Sequence, residues 1–231
     1  MLSTLNGSAL TRLQKSFAYD VVMRLLALAW SVFLALALAV ELKRDWHAAD
    51  PALPGAGVLN IPIRLSMIAY LVILAATVVV RMPPLGKARG AEPRVSAWLG
   101  SVLITVLVLF PRRELAPAAG CVSTLLVLVG ASIAAVVLIQ LRGSFSIMAE
   151  ALQLTTSGAY RLVRHPLYLA EEASGIGAVM QFLSIWTVML LVAQIVCQIR
   201  RMTNEEIVLM EVFPEYSNYK QKTFRIIPGL H

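Results

Sequence analysis

Long apolar blocks alternate with short polar loops along this chain, the apolar blocks covering residues 21–40, 63–80, 95–110, 121–141 and 167–199. A helix that crosses a bilayer needs about 20 mostly apolar residues, so the first, second and fourth blocks each predict one spanning helix. The third is short for a span and stops at Pro111-Arg112-Arg113. The fifth is too long for one helix and carries Gly175, Gly177, Gln181 and Ser184 near its middle, which predicts two helices in a tight hairpin. Beyond Arg200 the pattern turns polar and amphipathic, predicting a tail helix through Glu211 and a turn at Pro214. The expected fold is all-α, a polytopic transmembrane bundle of about six helical segments with a C-terminal hairpin and an amphipathic cytosolic tail helix.

Composition agrees with lipid as the solvent. Hydrophobic residues make up 58% of the 231 and charged residues 14%, against about 25% charged in soluble domains. Too little polar surface is left to wrap a water-soluble body. The first block reads as a retained helix rather than a cleaved signal peptide, because Glu41-Leu42-Lys43-Arg44 separates it from the small residues near Ala48 and Ala49. Cys121 and Cys197 lie inside apolar blocks with no CxxC or Cys/His cluster, so they read as small core hydrophobes, with no disulfide framework and no metal site.

The net charge of +7 reads as topology rather than as a nucleic-acid surface, because the basic residues sit in short loops without interleaved aromatics. With the N-terminus inside, the inner loops hold Arg12, Lys15, Arg81, Lys87, Arg89, Arg94, Arg142, Arg161, Arg164, Arg200, Arg201, Lys220, Lys222 and Arg225. The outer loops hold only Lys43, Arg44, Arg64, Arg112 and Arg113. That bias predicts both termini in the cytoplasm and an even number of crossings. Residues 1–141 form the N-terminal helices and 142–231 the region carrying the chemistry, within one integrated membrane domain. Oligomeric state is not legible in the sequence.

Candidate chemistry gathers in the last 90 residues. Between Thr155 and Tyr168 stand a Ser157-Gly158 turn, two tyrosines, two arginines and His165. Pro166 suits the first position of a helix, whose free N–H groups beside Arg164 and His165 fit an anionic or electron-rich ligand. A plain juxtamembrane loop of topological arginines and interfacial tyrosines accounts for the same residues. Glu171 and Glu172 fall inside an apolar block, where ionisable groups face the protein interior or a cavity. With His165 they are expected to line one side of the hairpin mouth. Arg201 and Glu205, four residues apart, share a helix face, as a site or as a solvated ion pair.

Ser157-Gly158-Ala159-Tyr160 followed by Arg164-His165-Pro166-Leu167-Tyr168 resembles the signature of the isoprenylcysteine carboxyl methyltransferase family. Glu205-Glu206-Ile207 and Phe213-Pro214-Glu215-Tyr216 with Tyr219-Lys220 are similar to that family's ending, and Arg142-Gly143-Ser144-Phe145-Ser146 to its bacterial members. The resemblance covers about residues 140–228. It implies an integral membrane methyltransferase that uses S-adenosylmethionine in a cytosol-facing pocket and acts on a lipophilic acceptor, with a prenylcysteine-type carboxylate foremost. Implied cofactor contacts are Tyr160, His165, Pro166, Leu167, Tyr168 and Glu205, together with the 152–155 stretch that includes Leu154. Arg201 falls beside the family's substrate carboxylate, so Arg201 and Glu205 are the implied catalytic pair, with Glu171 and Glu172 as further substrate contacts. Ala170 stands where a glycine is common, which would narrow the pocket. A nicotinamide-dependent membrane reductase of the sterol-reductase type, which shares RHPxY, and a non-catalytic membrane scaffold or small transporter are the alternative readings.

Overall fold

A computed structural model describes residues 17–48, 56–227 and 229. Arg12 and Lys15 of the inner charge set lie outside the described residues. The chain forms α1 (Phe17–Ala48), α2 (Ala56–Val79), α3 (Glu92–Val102), α4 (Pro117–Leu141), α5 (Pro166–Gln181), α6 (Ile185–Val212) and the short α7 (Tyr216–Lys222). Among the described residues, four stretches are long and apolar enough to cross a bilayer, and they coincide with α1, α2, α4 and α6. The protein is a helical membrane bundle.

The boundaries follow local chemistry. The third apolar block starts as α3 and tightens into a 3-10 run over Leu103–Leu109. Ile104, Thr105 and Val106 are β-branched and crowd a regular helix, and Pro111 ends it. The hairpin breaks at residues 182–184, where Ser184 and Thr187 cap the start of α6 reciprocally. The break thus falls at the Gln181 and Ser184 end of the polar and small positions, and Gly175 and Gly177 lie before it. They sit inside α5, and a Cβ on Gly177 would lie 2.8 Å from the Ser123 carbonyl of α4. Gly130 of α4 meets α5 in the same way, its missing Cβ leaving room for the Ala170 carbonyl at 2.7 Å. Small residues thus let α4 and α5 approach closely, as membrane helices do when apolar surface alone cannot drive packing.

The polar tail is not a separate helix. Helix α6 runs unbroken through Arg200 and Arg201 to Val212, so its C-terminal third is the expected amphipathic segment. Around these helices α1 packs on α2, α2 on α4, and α3 on α6. Two short strands, β1 (Gly86–Lys87) and β2 (Glu150–Ala151), pair antiparallel and tie the α2–α3 loop to the α4–α5 loop. Cys121 is exposed on the outer surface of α4 rather than in the core.

The two charge sets lie at opposite ends of the bundle. At one end Arg64 pairs with Glu41 at 3.1 Å and with Asp45, and the Arg113 amide donates to Gln181 beside the hairpin turn. At the other end Arg81 bridges Asp20 and Glu150, each at 2.7 Å. Glu150 also receives the Ser146 hydroxyl at 2.7 Å.

Candidate functional site

At that second end the loop preceding α5, the start of α5 and the end of α6 meet in one cleft. Pro166 occupies the first turn of α5, with His165 as its cap. The C-terminal segment holds this entry in place. The Arg164 and His165 amides donate to the carbonyls of Phe224 and Arg225, and the Phe224 amide donates back to Leu162. A strand-like patch thereby fixes the Arg-His-Pro turn against the end of the chain.

The hairpin then delivers α6 to the same place. Tyr168 donates its hydroxyl to Glu205. Glu206, the next residue, faces the other way around the helix: its Oε1 lies 3.2 Å from both Arg164 Nε and His165 Nε2. Lys220 approaches the same carboxylate at 3.0 Å and Arg225 at 3.4 Å. Arg164 and Glu206 are both buried. Arg164 also donates to the carbonyls of Lys220 and Thr223. The His165 and Tyr168 rings stack at 5.5 Å.

The cleft is lined by Leu152, Gln153, Leu154, Thr155, Tyr160, His165, Leu167, Tyr168 and Glu205, with Glu150, Tyr216 and Tyr219 completing it. It therefore gathers all four residues of the 152–155 stretch and most of the RHPLY set. Pro166 is the exception, because it turns outward into an apolar groove between α4 and α5. Ala170 lines that groove too, so its methyl narrows the groove rather than the cleft. Arg201 stands behind the cleft wall. Its guanidinium lies 4.7 Å over the Tyr168 ring and donates to Ser101 Oγ and the Ser146 carbonyl, with Glu205 at 3.3 Å. Glu171 and Glu172 do not join His165 at the hairpin mouth. Glu171 accepts from Tyr70 at 2.6 Å and from Gln198 at 3.2 Å, and Glu172 accepts from Gln194. Both point along the α5–α6 seam, away from the cleft.

Sequence reasoning passed over Glu206, Arg164, Glu150, Tyr216 and Tyr219 as site residues, although four of the five lie within the motifs themselves. Tyr219 anchors the Tyr160 carbonyl through a 2.7 Å bond, and burial pushes its phenol up to about 12. Burial likewise raises Tyr160 and Tyr216. The Tyr216 hydroxyl is buried without a hydrogen-bond partner. The cleft encloses about 90 Å³, short of the roughly 300–1,000 Å³ of a ligand site, so a nucleoside-sized ligand must part its walls.

The fold and the site together define a helical membrane bundle with one polar cleft where its C-terminal hairpin closes on the Arg-His-Pro turn. Residues 117–216 match the family described as phospholipid methyltransferase, so the match takes in α4, α5, α6 and the start of α7. The matched stretch contains both the RHPLY motif and the Glu205-Glu206 pair, and the family is the group of membrane methyltransferases those motifs resemble. No curated protein matches the chain.

Proposed function

We propose that the protein transfers a methyl group from S-adenosylmethionine to a lipophilic acceptor drawn from the bilayer, at the end of the bundle that carries the larger set of basic residues, which in this reading faces the cytoplasm. The acceptor group in this reading is a carboxylate of prenylcysteine type. The carrying observation is the junction of two motifs: His165 and Tyr168 form one wall of a cleft, and Glu205 and Glu206 the wall that binds them. Residues 142–231 are the cofactor-binding region in this reading.

When bound, the cofactor supplies a methyl group on a cationic sulfonium. The donor set suits such a ligand. Glu150 and Glu205 offer carboxylates, and Tyr160, Tyr168, Tyr216 and Tyr219 line the same space; a cation is attracted by ring faces as well as by acids. The unpartnered Tyr216 hydroxyl gives a further polar contact. Tyr160, His165, Leu167, Tyr168, Glu205 and Leu154 are the residues assigned to holding it.

A carboxylate acceptor has an ordinary pKa near 4 and is already ionised at neutral pH, so the protein's task is alignment and exclusion of water. Orientation of this kind is worth roughly 7–11 kcal/mol. Arg201 is committed to Ser101, Ser146 and Glu205, and it serves here by fixing Glu205 and Tyr168. The groove between α4 and α5, apolar and open beside Pro166, suits the acceptor's lipophilic tail.

Calorimetry with S-adenosylhomocysteine on protein in detergent tests the reading. Binding that is weakened by Glu205→Gln supports it. Stabilisation by NADPH and by neither adenosyl compound replaces it with the reductase. Mass spectrometry of membrane lipids and lipidated proteins after incubation with isotope-labelled S-adenosylmethionine then identifies the acceptor.

A further inference from the structure

The C-terminal motif Phe213-Pro214-Glu215-Tyr216 with Tyr219-Lys220 brings two tyrosines to the cleft on α7, and they are held differently. Tyr219 donates its hydroxyl to the Tyr160 carbonyl at 2.7 Å. The Tyr216 ring meets that of Tyr219 at 5.7 Å, but its hydroxyl is buried without a hydrogen-bond partner. Tyr216 is 1% exposed. Helix α7 does not need this hydroxyl to keep its place. The Tyr219 bond, the Lys220–Glu206 pair and the bonds from Arg164 to the Lys220 and Thr223 carbonyls fix it already. A phenylalanine would fill the same space without an unsatisfied buried hydroxyl, so the group has its use toward a ligand in the cleft.

Donors around it are spent inside the protein. Ser144 donates to the Leu141 carbonyl, Ser146 to Glu150 and Tyr168 to Glu205, while Arg164 is taken by Glu206 and two carbonyls. A ligand acceptor entering the cleft finds in Tyr216 a donor already stripped of water.

Local charge says which acceptor fits. Three permanent cations, Arg164, Lys220 and Arg225, converge on the single carboxylate of Glu206. Burial raises the Tyr216 phenol, Glu206 raises it further and Arg164 opposes them. The group therefore stays a neutral donor at neutral pH, within the field of that basic cluster. An anionic acceptor is favoured there and makes the stronger hydrogen bond. S-adenosylmethionine has one anionic group, the carboxylate of its amino-acid portion, whereas Glu150 and Glu205 suit its cations. We propose that the Tyr216 hydroxyl donates to that carboxylate and so selects the amino-acid-bearing cofactor over nucleosides that lack it. The assignment rests on the methyl-transfer reading.

The test is calorimetry on the whole protein in detergent with S-adenosylhomocysteine and its decarboxylated analogue. Tyr216→Phe is expected to weaken the first by about tenfold, as for a lost hydrogen bond to a charged group, and to leave the affinity for the second unchanged. Its unfolding midpoint without ligand should equal or exceed that of the wild type, because an unsatisfied buried group is gone. Tyr219→Phe, which loses the bond to the Tyr160 carbonyl, should instead lower the midpoint and weaken both ligands alike. Equal weakening of both ligands by Tyr216→Phe, or of neither, would overturn the assignment and leave the methyl-transfer reading standing. A carboxylate-selective loss of the same size in Tyr219→Phe would do so too. A wild-type protein that binds neither compound removes that reading, and the assignment with it.

Discussion

Replacing Glu206 by glutamine removes one negative charge from beneath four basic groups. Arg164 and His165 are buried beside it, whereas Lys220 and Arg225 are about a third exposed. Breaking a buried ion pair by deleting one partner costs roughly 3–5 kcal/mol. Arg164 keeps two carbonyl acceptors in the variant, which moves the expectation to the lower end. The exposed partners add about 0–1 kcal/mol each. The expected loss is therefore about 3 kcal/mol, or a midpoint lowered by roughly 6–12 °C at this chain length. Because Glu206 also holds His165 and, through Arg164, the 220–225 segment, proteolysis near Lys222 should quicken in the variant. Thermal unfolding in detergent and timed trypsin digestion read the two effects. Arg225→Ala, which deletes only a part-exposed partner, should cost less than half as much. A Glu206→Gln midpoint within about a degree of wild type, or a larger loss for Arg225→Ala, would refute the reasoning.

Other outcomes follow from separate features. A Cβ on Gly130 would press on the Ala170 carbonyl and the Ser174 amide, each at 2.7 Å, whereas Gly120 has open space around it; Gly130→Ala should lose about 1–3 kcal/mol and Gly120→Ala little, measured by thermal unfolding. Burial raises the folded-state phenol pKa of Tyr219 to about 12, from an unfolded value near 10. Stability from keeping it neutral is thus complete below pH 10 and is lost as pH climbs toward 12, and tyrosinate absorbance in detergent should show a late-titrating fraction that moves to pH 10 on unfolding. An alanine inserted into α6 after Val192 rotates Glu205 and Glu206 by about 100° and should remove S-adenosylhomocysteine binding. The same insertion in the turn at residues 182–184 should be tolerated, and equal binding loss from both would show that register within α6 does not matter.

Much of the bundle is legible because a bilayer imposes length on each apolar block, and the blocks at 21–40, 63–80 and 121–141 each fall within one long helix. Hydropathy fails where another force sets the boundary. It ends a segment at Arg200, yet α6 continues because its turn register and polar partners persist after the lipid-facing residues give out. It gives no sign that Gly177 lacks a side chain for the sake of close packing against α4. Leu162, Arg164 and His165 pair with Phe224 and Arg225 through backbone atoms, and no side-chain pattern announces that pairing. The cleft was partly legible because its residues lie in two short motifs. Glu206 was missed although Glu205 was found, since adjacent helical positions face about 100° apart: one carboxylate serves Tyr168 and the other serves His165.

Thirty-six residues, 169–204, separate the RHPLY turn from the Glu-Glu pair, and bilayer thickness explains why that distance makes a site. Helix α5, over its 16 residues, spans roughly 24 Å, and α6 from Ile185 to Glu205 spans roughly 31 Å. The second matches the roughly 30 Å of a hydrocarbon core, and the first reaches most of the way across it. A chain that enters the membrane at Pro166 and turns at residues 182–184 therefore regains the same face near Glu205. Its two polar ends must meet there, because neither can stay in lipid and each satisfies the other's hydrogen bonds. The polar pairs that Glu171 and Glu172 make with Gln198 and Gln194 are the costly part of the hairpin.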